Sequence, residues 1–373
     1  MITIRKKDIP ENRTCHSWTN NNYRLVDTMN AMKPVYDGKN IIRYKLDWDI
    51  DTLRQRILDA TNQYKWWGWV NRNANTKISY QNVLRRGNEG VDNFNRGSYY
   101  GGWSIKSNPI YCNNYGIAEE AGGMGELPSP ISWLIYSAIG YDSYTKLEES
   151  GQLLILTRLS VEKGFDAVIA RLKETNLLTD EQIGNLEKPP EDLPKSTHRE
   201  KDSYFDTWSY SKYTDAASAS GIDQLLATST CQVIRSRVAW QRGAFRTYRT
   251  DPVINDQYTW HVDEPMSINT RIIVPIQTSE AFAIEIKGKK PVVLETGYAY
   301  SFDTNIMHRQ VQIDNSSRLD RIFMVLGFNP WFNWDNDQQS WTTNEYYGKM
   351  HPLDMMAEGL MLPSLKFDSE IRI

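Results

Sequence analysis

Apolar residues recur at two different intervals along this chain, and the change of interval divides it. In the first part the interval is helical. Asp49 or Asp51 is placed to cap a helix whose apolar positions Ile50, Leu53, Ile57 and Leu58 fall at helical spacing. Ser129-Pro130 offers a second entry, Ser as N-cap and Pro in the first turn, leading into Ile131, Trp133, Leu134 and Ile135. Ser160 opens a third helix with Val161, Phe165, Val168, Ile169 and Leu172 on one face. Thr179 and Gln182 have the spacing of a capping box for a short helix to Leu186, and Gly221 to Thr228 reads as one more. Between these helices, Ile41 to Lys45 and Leu153 to Thr157 look like strands.

From Cys231 onward the interval shortens to two. Val233, Val238 and Trp240 lie on a strand that feeds towards His261, and Arg271 to Gln277 is apolar and β-branched. Phe282, Ile284 and Ile286 alternate with Ala283, Glu285 and Lys287, the pattern of a half-buried strand. Gly288-Lys289-Lys290 reads as a hairpin connection to a return strand at Pro291 to Leu294, and Gly297 marks a turn. Tyr298 to Phe302 alternates aromatic with small residues ahead of an Asp303-Thr304-Asn305 loop. Val311 and Ile313, an Asn315-Ser316-Ser317 turn and a last strand from Arg321 to Leu326 follow. Strands of this length and order predict a mainly β protein with flanking helices. Its centre is a double-stranded β-helix, the jelly-roll or cupin-like architecture that encloses a small pocket. The expected layout is a helical, aromatic-rich N-terminal elaboration at 1–229, the barrel core at 230–333 and a C-terminal extension at 334–373. Within the first part, the proline- and charge-rich residues 187–203 look like an exposed linker or lid.

Composition narrows the function classes. A net charge of -3 over 373 residues supplies no global basic field for holding nucleic acid. Three widely separated cysteines, Cys15, Cys112 and Cys231, contain no C-x-x-C and suit a reducing cytosol better than a disulfide scaffold. The first residues lack the apolar core of a signal peptide and no run approaches membrane-spanning length, so a cytoplasmic protein is expected. Trp66-Trp67-Gly68-Trp69 and the GSYYGGW stretch ending at Trp103 are dense in aromatics, which more often form core or interface than a sugar or base platform. Gly122-Gly123-Met124-Gly125 lacks the spacing of a dinucleotide fingerprint and reads as loop. The tail beyond Phe328, with Met350 to Met361, reads as packing, and His351 is out of order for the chemistry below.

The candidate chemistry lies in the period-two part. His261, Asp263 and His308, in that order, are the side chains that a facial-triad iron site needs, because neutral nitrogen and hard oxygen donors suit Fe(II) and leave positions open for co-substrate and dioxygen. Arg321 opens an apolar strand, one strand after His308, where its planar fork would match a carboxylate with two parallel hydrogen bonds. A dicarboxylate would then bridge iron and arginine. Arg318 competes for that role but lies in a turn.

The strings HVD, TRIIVPIQT, GYAYSFDTNIMHRQV and DRIFMVLGF resemble the 2-oxoglutarate and Fe(II)-dependent oxygenases, within them the aspartyl/asparaginyl β-hydroxylase and bacterial proline hydroxylase branch. The resemblance covers roughly the C-terminal third. It implies that His261, Asp263 and His308 are metal ligands, that Arg321 binds the distal carboxylate of 2-oxoglutarate, and that Arg271 is a second candidate for a co-substrate or substrate carboxylate. It also implies hydroxylation of an unactivated C–H in a small-molecule or peptide substrate: a free amino acid, or an Asp, Asn or Pro side chain. Three rivals stand beside it. Arg235, Arg237, Arg242, Arg246 and Arg249, interleaved with Trp240, Phe245 and Tyr248, would suit a nucleic-acid base oxygenase. A non-catalytic jelly-roll module would hold carbohydrate or peptide on its aromatics. A metal-bound barrel could instead perform isomerase or hydrolase chemistry.

Overall fold

Two antiparallel sheets of unequal size face each other across the candidate chemistry. A computed structural model of the chain describes residues 1–10, 13–35, 40–64, 66–70, 81–85, 98–107, 146–147, 150, 152, 155–156, 159, 165–186, 207–241, 260, 262–313 and 321–373. Among these, β2 (Ile41–Leu46), β3 (Trp66–Val70), β4 (Gln81–Arg85), β5 (Ser98–Ser104), β8 (Gln232–Gln241), β9 (Thr270–Gln277), β12 (Tyr298–Ser301), β14 (Arg321–Asn329) and β17 (Leu365–Ile371) form one nine-stranded sheet. Its order is β17-β2-β12-β9-β14-β8-β5-β3-β4. The smaller sheet, β11-β10-β13, contains β10 (Phe282–Ile286), β11 (Val292–Val293) and β13 (His308–Gln312). A third sheet, in the order β1-β16-β15, joins β1 (Thr3–Arg5), β15 (Phe332–Asp335) and β16 (Ser340–Thr343). The short strands β6 (Lys106–Ser107) and β7 (Lys212–Tyr213) pair with each other. The protein is thus mostly β with several antiparallel sheets and a few helices. Strands from all three expected segments, β2 to β5, then β8, β9, β12 and β14, and finally β17, contribute to the nine-stranded sheet.

Period-two patterning gives the large sheet two different faces. Along β14, Ile322, Met324, Leu326 and Phe328 enter the main core, whereas Phe323 and Val325 enter a smaller cluster. Along β9, Ile272, Val274 and Ile276 enter the main core and Ile273 the smaller cluster. Alternate Cβ atoms of a strand point to opposite sides, so one segment supplies both. Helices cover the main-core side. In α3 (Ile50–Gln63), Asp49 caps the first turn by accepting from the Thr52 amide at 3.1 Å, and Leu53, Ile57 and Ala60 recur on its buried face. Burying Leu53 and Ile57 contributes about 1.5–3 kcal/mol each. The indole of Trp103 on β5 donates to Thr61 Oγ1 at 2.9 Å and ties that helix to the sheet. The other helices are α1 (Cys15–Tyr23), α2 (Leu25–Asn30), α4 (Phe165–Thr175), α5 (Asp180–Gly184), α6 (Asp215–Ser220), α7 (Ile222–Leu226) and α8 (Pro352–Ala357).

Local signals were honoured where the backbone itself carried them. The Thr179–Gln182 capping box is formed reciprocally, although its helix ends at Gly184 rather than Leu186. Gly288 and Gly297 both take φ above +80°, as the hairpin and turn require. The stretch at 153–157, expected as a strand, is helical at Ile155 and Leu156. Leu156 there packs into a satellite cluster with Val168, Leu172 and Ile183. Trp331, Phe332, Trp341, Met355, Met356 and Met361 are buried, as a packing tail requires, and the His351 ring nitrogen caps α8 by accepting from the Leu353 amide. The Ser129-Pro130 helix, the Gly122 to Gly125 loop, the 187–203 segment and the Asn315-Ser316-Ser317 turn lie outside the described residues. No described helix is long and apolar enough to cross a membrane.

Candidate functional site

The smaller cluster fills the space between the nine-stranded and three-stranded sheets. Ile273 and Tyr300 enter it from the large sheet with Phe323 and Val325, and Ile284 and Ile286 enter from the small one. His308 pairs across from Ile286 and Gln310 from Ile284. Directly opposed residues of an antiparallel pair share a face, so both side chains project into this space. Arg321 belongs to it as well, two residues before Phe323 on the same face of β14.

His308 is buried, with the Phe302 ring edge-on at 5.0 Å. Its Nδ1 lies 2.8 Å from the Ile306 carbonyl oxygen. A carbonyl can only accept, so Nδ1 carries a proton; in the neutral ring this leaves the lone pair on Nε2, the tautomer a metal ligand needs. That Nε2 stands 3.6 Å from Asp263 Oδ2. Two ligand atoms each about 2.1 Å from one first-row cation stand roughly 3 to 4 Å apart, and this pair is within that range. The donor set therefore fits a divalent metal as far as two of the three candidate ligands go. His261 lies outside the described residues, and among those described no three His, Cys, Asp or Glu side chains form a metal-holding group. Asp263 does not sit on a described strand. It is held in an extended segment by its amide, which donates to the Thr304 carbonyl at 2.9 Å. On the N-terminal side of the same segment, Trp260 lies under the Arg309 guanidinium at 4.3 Å, and Arg309 is fixed by Glu285 at 2.7 Å.

The two candidate arginines occupy different places. Arg321 is fully buried, and its Nη1 donates to Gln310 Oε1 at 3.3 Å, linking the two sheets two residues beyond His308. Arg271 pairs across from Gly327, six positions further along β14. Its guanidinium contacts both Asp263 Oδ2 and Glu264 Oε2. Glu264 in turn accepts from Arg235 Nη1 at 2.7 Å and from the Thr207 hydroxyl at 2.9 Å. Burial pushes the Glu264 carboxyl upward, but Arg271 and Arg235 outweigh it and hold the group down at about 2. Glu264 is therefore an anion at neutral pH, at the hub of two arginines. Arg318, Arg242, Arg246 and Arg249 lie outside the described residues; Arg235, from the same basic run, serves Glu264.

Sequence reasoning passed over Glu264, Gln310 and Asn269. Glu264 is the next residue after the H-x-D string, and Gln310 stands two places after His308, so period two would have placed it on the same face. Nothing in the sequence pointed to Asn269, whose fully buried amide lies where a Cβ on Gly327 would come within 2.5 Å of its oxygen. Compared with known proteins, the chain matches no family model and no curated sequence.

Proposed function

We propose that the protein is an Fe(II)- and 2-oxoglutarate-dependent dioxygenase that hydroxylates an unactivated C–H of an amino acid, or of an Asp, Asn or Pro side chain in a peptide. In this reading the large and small sheets are the two halves of a double-stranded β-helix. His261, Asp263 and His308 hold the metal. The observation that carries the proposal is the His308–Asp263 pair: an imidazole whose proton is committed to a backbone carbonyl, its lone pair aimed at a carboxylate oxygen 3.6 Å away. Bound there, Fe(II) would activate dioxygen, which is the oxidant: 2-oxoglutarate would give up two electrons on losing CO2 to form succinate, the substrate C–H the other two, and one oxygen atom would end in each product.

The remaining work belongs to the chain. Arg321 offers a guanidinium in an apolar, water-poor space where a carboxylate partner is worth more than it would be in water. Gln310 fixes that guanidinium from the opposite sheet. Arg271 is engaged by two carboxylates already, which favours Arg321 as the partner of the distal carboxylate. Phe302 and Ile306 set the ring plane of His308 from either side.

The test is anaerobic addition of Fe(II) and 2-oxoglutarate while tryptophan fluorescence is followed, then succinate release under air. The expected result is quenching and succinate formation in the wild type, both abolished in Asp263→Ala. Full retention by Asp263→Ala would remove the assignment, and a protein that responds to neither addition would be a binding module.

A further inference from the structure

Asp263 Oδ2 faces two cationic positions at once. On one side is the lone pair of His308, where a metal would complete the pair; on the other is the Arg271 guanidinium, touching the same oxygen. The second amino group of Arg271 is held by Glu264, and Glu264 is itself anchored by Arg235 and Thr207. All four charged side chains are largely withdrawn from water. Asp263 and Glu264 contribute two negative charges, Arg235 and Arg271 two positive ones, so the set is neutral before any metal arrives.

We infer that Arg271 is a built-in competitor for the metal seat: it occupies Asp263 Oδ2 while the site is empty, and swings onto Glu264 when a divalent cation takes that oxygen. This inference rests on the metal-site reading above. A carboxylate oxygen already bearing a guanidinium is a poorer donor, and a cation entering beside a fixed positive charge is repelled in a low-dielectric interior. Arg271 therefore lowers divalent affinity, and Glu264 limits the loss by giving the guanidinium somewhere else to go. The arrangement offsets the repulsion between the two adjacent carboxylates in the metal-free protein. It also makes metal loading shift the side chain of an arginine carried by β9.

The two residues then act in opposite directions, which a purely structural role would not produce. Binding of Mn(II) alone to the full-length protein, followed by the electron paramagnetic resonance of the free ion, reads the effect without turnover. Arg271→Gln is expected to bind Mn(II) at least tenfold more tightly than wild type. Glu264 keeps Arg235 and Thr207 in that variant, so its charge remains paired. Glu264→Gln is expected to bind at least tenfold more weakly, because the guanidinium then rests on Asp263 alone. Arg271→Lys keeps the charge and is expected to stay within about threefold of wild type. Arg271→Gln binding as wild type does, or more weakly, while His308→Ala abolishes binding, would overturn this inference and leave the metal site standing. Binding that His308→Ala does not change would overturn both.

Discussion

The two faces of the large sheet are made from the same strands, one residue apart, and they obey different rules. On the helix side, Ile272, Val274, Ile276, Met324 and Leu326 are buried among other hydrocarbon side chains. On the side facing the small sheet, Arg271 and Arg321 are just as withdrawn, at 6% and 0% exposure, and their neighbours are charged or amide groups as well as apolar ones. A buried charge is costly unless paired and hydrogen-bonded, and on the second face Glu264 and Asp263 meet Arg271 while Gln310 meets Arg321. One face maximises packing. The other gives up some packing to keep buried charged groups in contact with polar partners.

The contrast breaks most severely at Met324. Met324→Asp would bury a carboxylate among the hydrocarbon side chains of the main core, and a loss of about 4 kcal/mol or more is expected, read as failure to give soluble folded protein or as an early urea midpoint. Arg321→Met, three positions earlier on the opposite face, should behave differently. Folding should survive within about 2 kcal/mol, while 2-oxoglutarate-dependent quenching weakens on the order of 100-fold, since a desolvated charge pair is lost. Equal damage to folding from both variants would erase the distinction between the faces.

A smaller effect is expected at Gly327, on the same inner face as Arg271. A Cβ there would meet Asn269 Oδ1 at 2.5 Å and the Arg235 carbonyl oxygen at 2.8 Å, and the second of these is backbone that cannot swing aside. Gly327→Ala should therefore cost about 1–3 kcal/mol by equilibrium unfolding and disturb the Glu264 network through Arg235. Gly327 also sits at the β-bulge between β14 and β8, its amide donating to Ser236 Oγ at 2.9 Å.

The smallest effect is a pH dependence. The Glu264 carboxyl has an ordinary value of 4.5 and is held at about 2 in the folded chain. Its contribution is thus fully present above about pH 4.5 and is lost as the pH falls towards 2, because the unfolded chain binds the proton more readily. Urea midpoints measured from pH 5 to pH 2.5 should fall less steeply in Glu264→Gln than in the wild type. Parallel slopes would mean that Glu264 is not the anion that the inner face depends on.

How much was legible beforehand depends on whether a signal was local. The capping boxes and turns were readable because an N-cap, a positive-φ glycine or a proline acts on its own few residues of backbone: Asp49, Thr179, Gly288 and Gly297 each perform locally. The alternation in β10 was readable for the same reason. The strands at Trp66–Val70 and Ser98–Ser104 were not singled out, since their glycines and tryptophans carry no clean alternation and they are fixed by pairing with β8 and with each other.

The sequence by itself determined the period-two segments, the alternation of Phe282, Ile284 and Ile286 with their neighbours, and the placing of Asp263, His308 and Arg321 beside apolar strands. Only the tertiary structure decided that Asp263 and His308 stand 3.6 Å apart, that Arg271 is bound to Asp263 and Glu264 while Arg321 is bound to Gln310, and that strands from both ends of the chain complete the large sheet. Alternation is a property of consecutive residues and survives in one dimension. Which partner meets a buried charge depends on residues dozens of positions away being folded against it, and no local spacing encodes that choice.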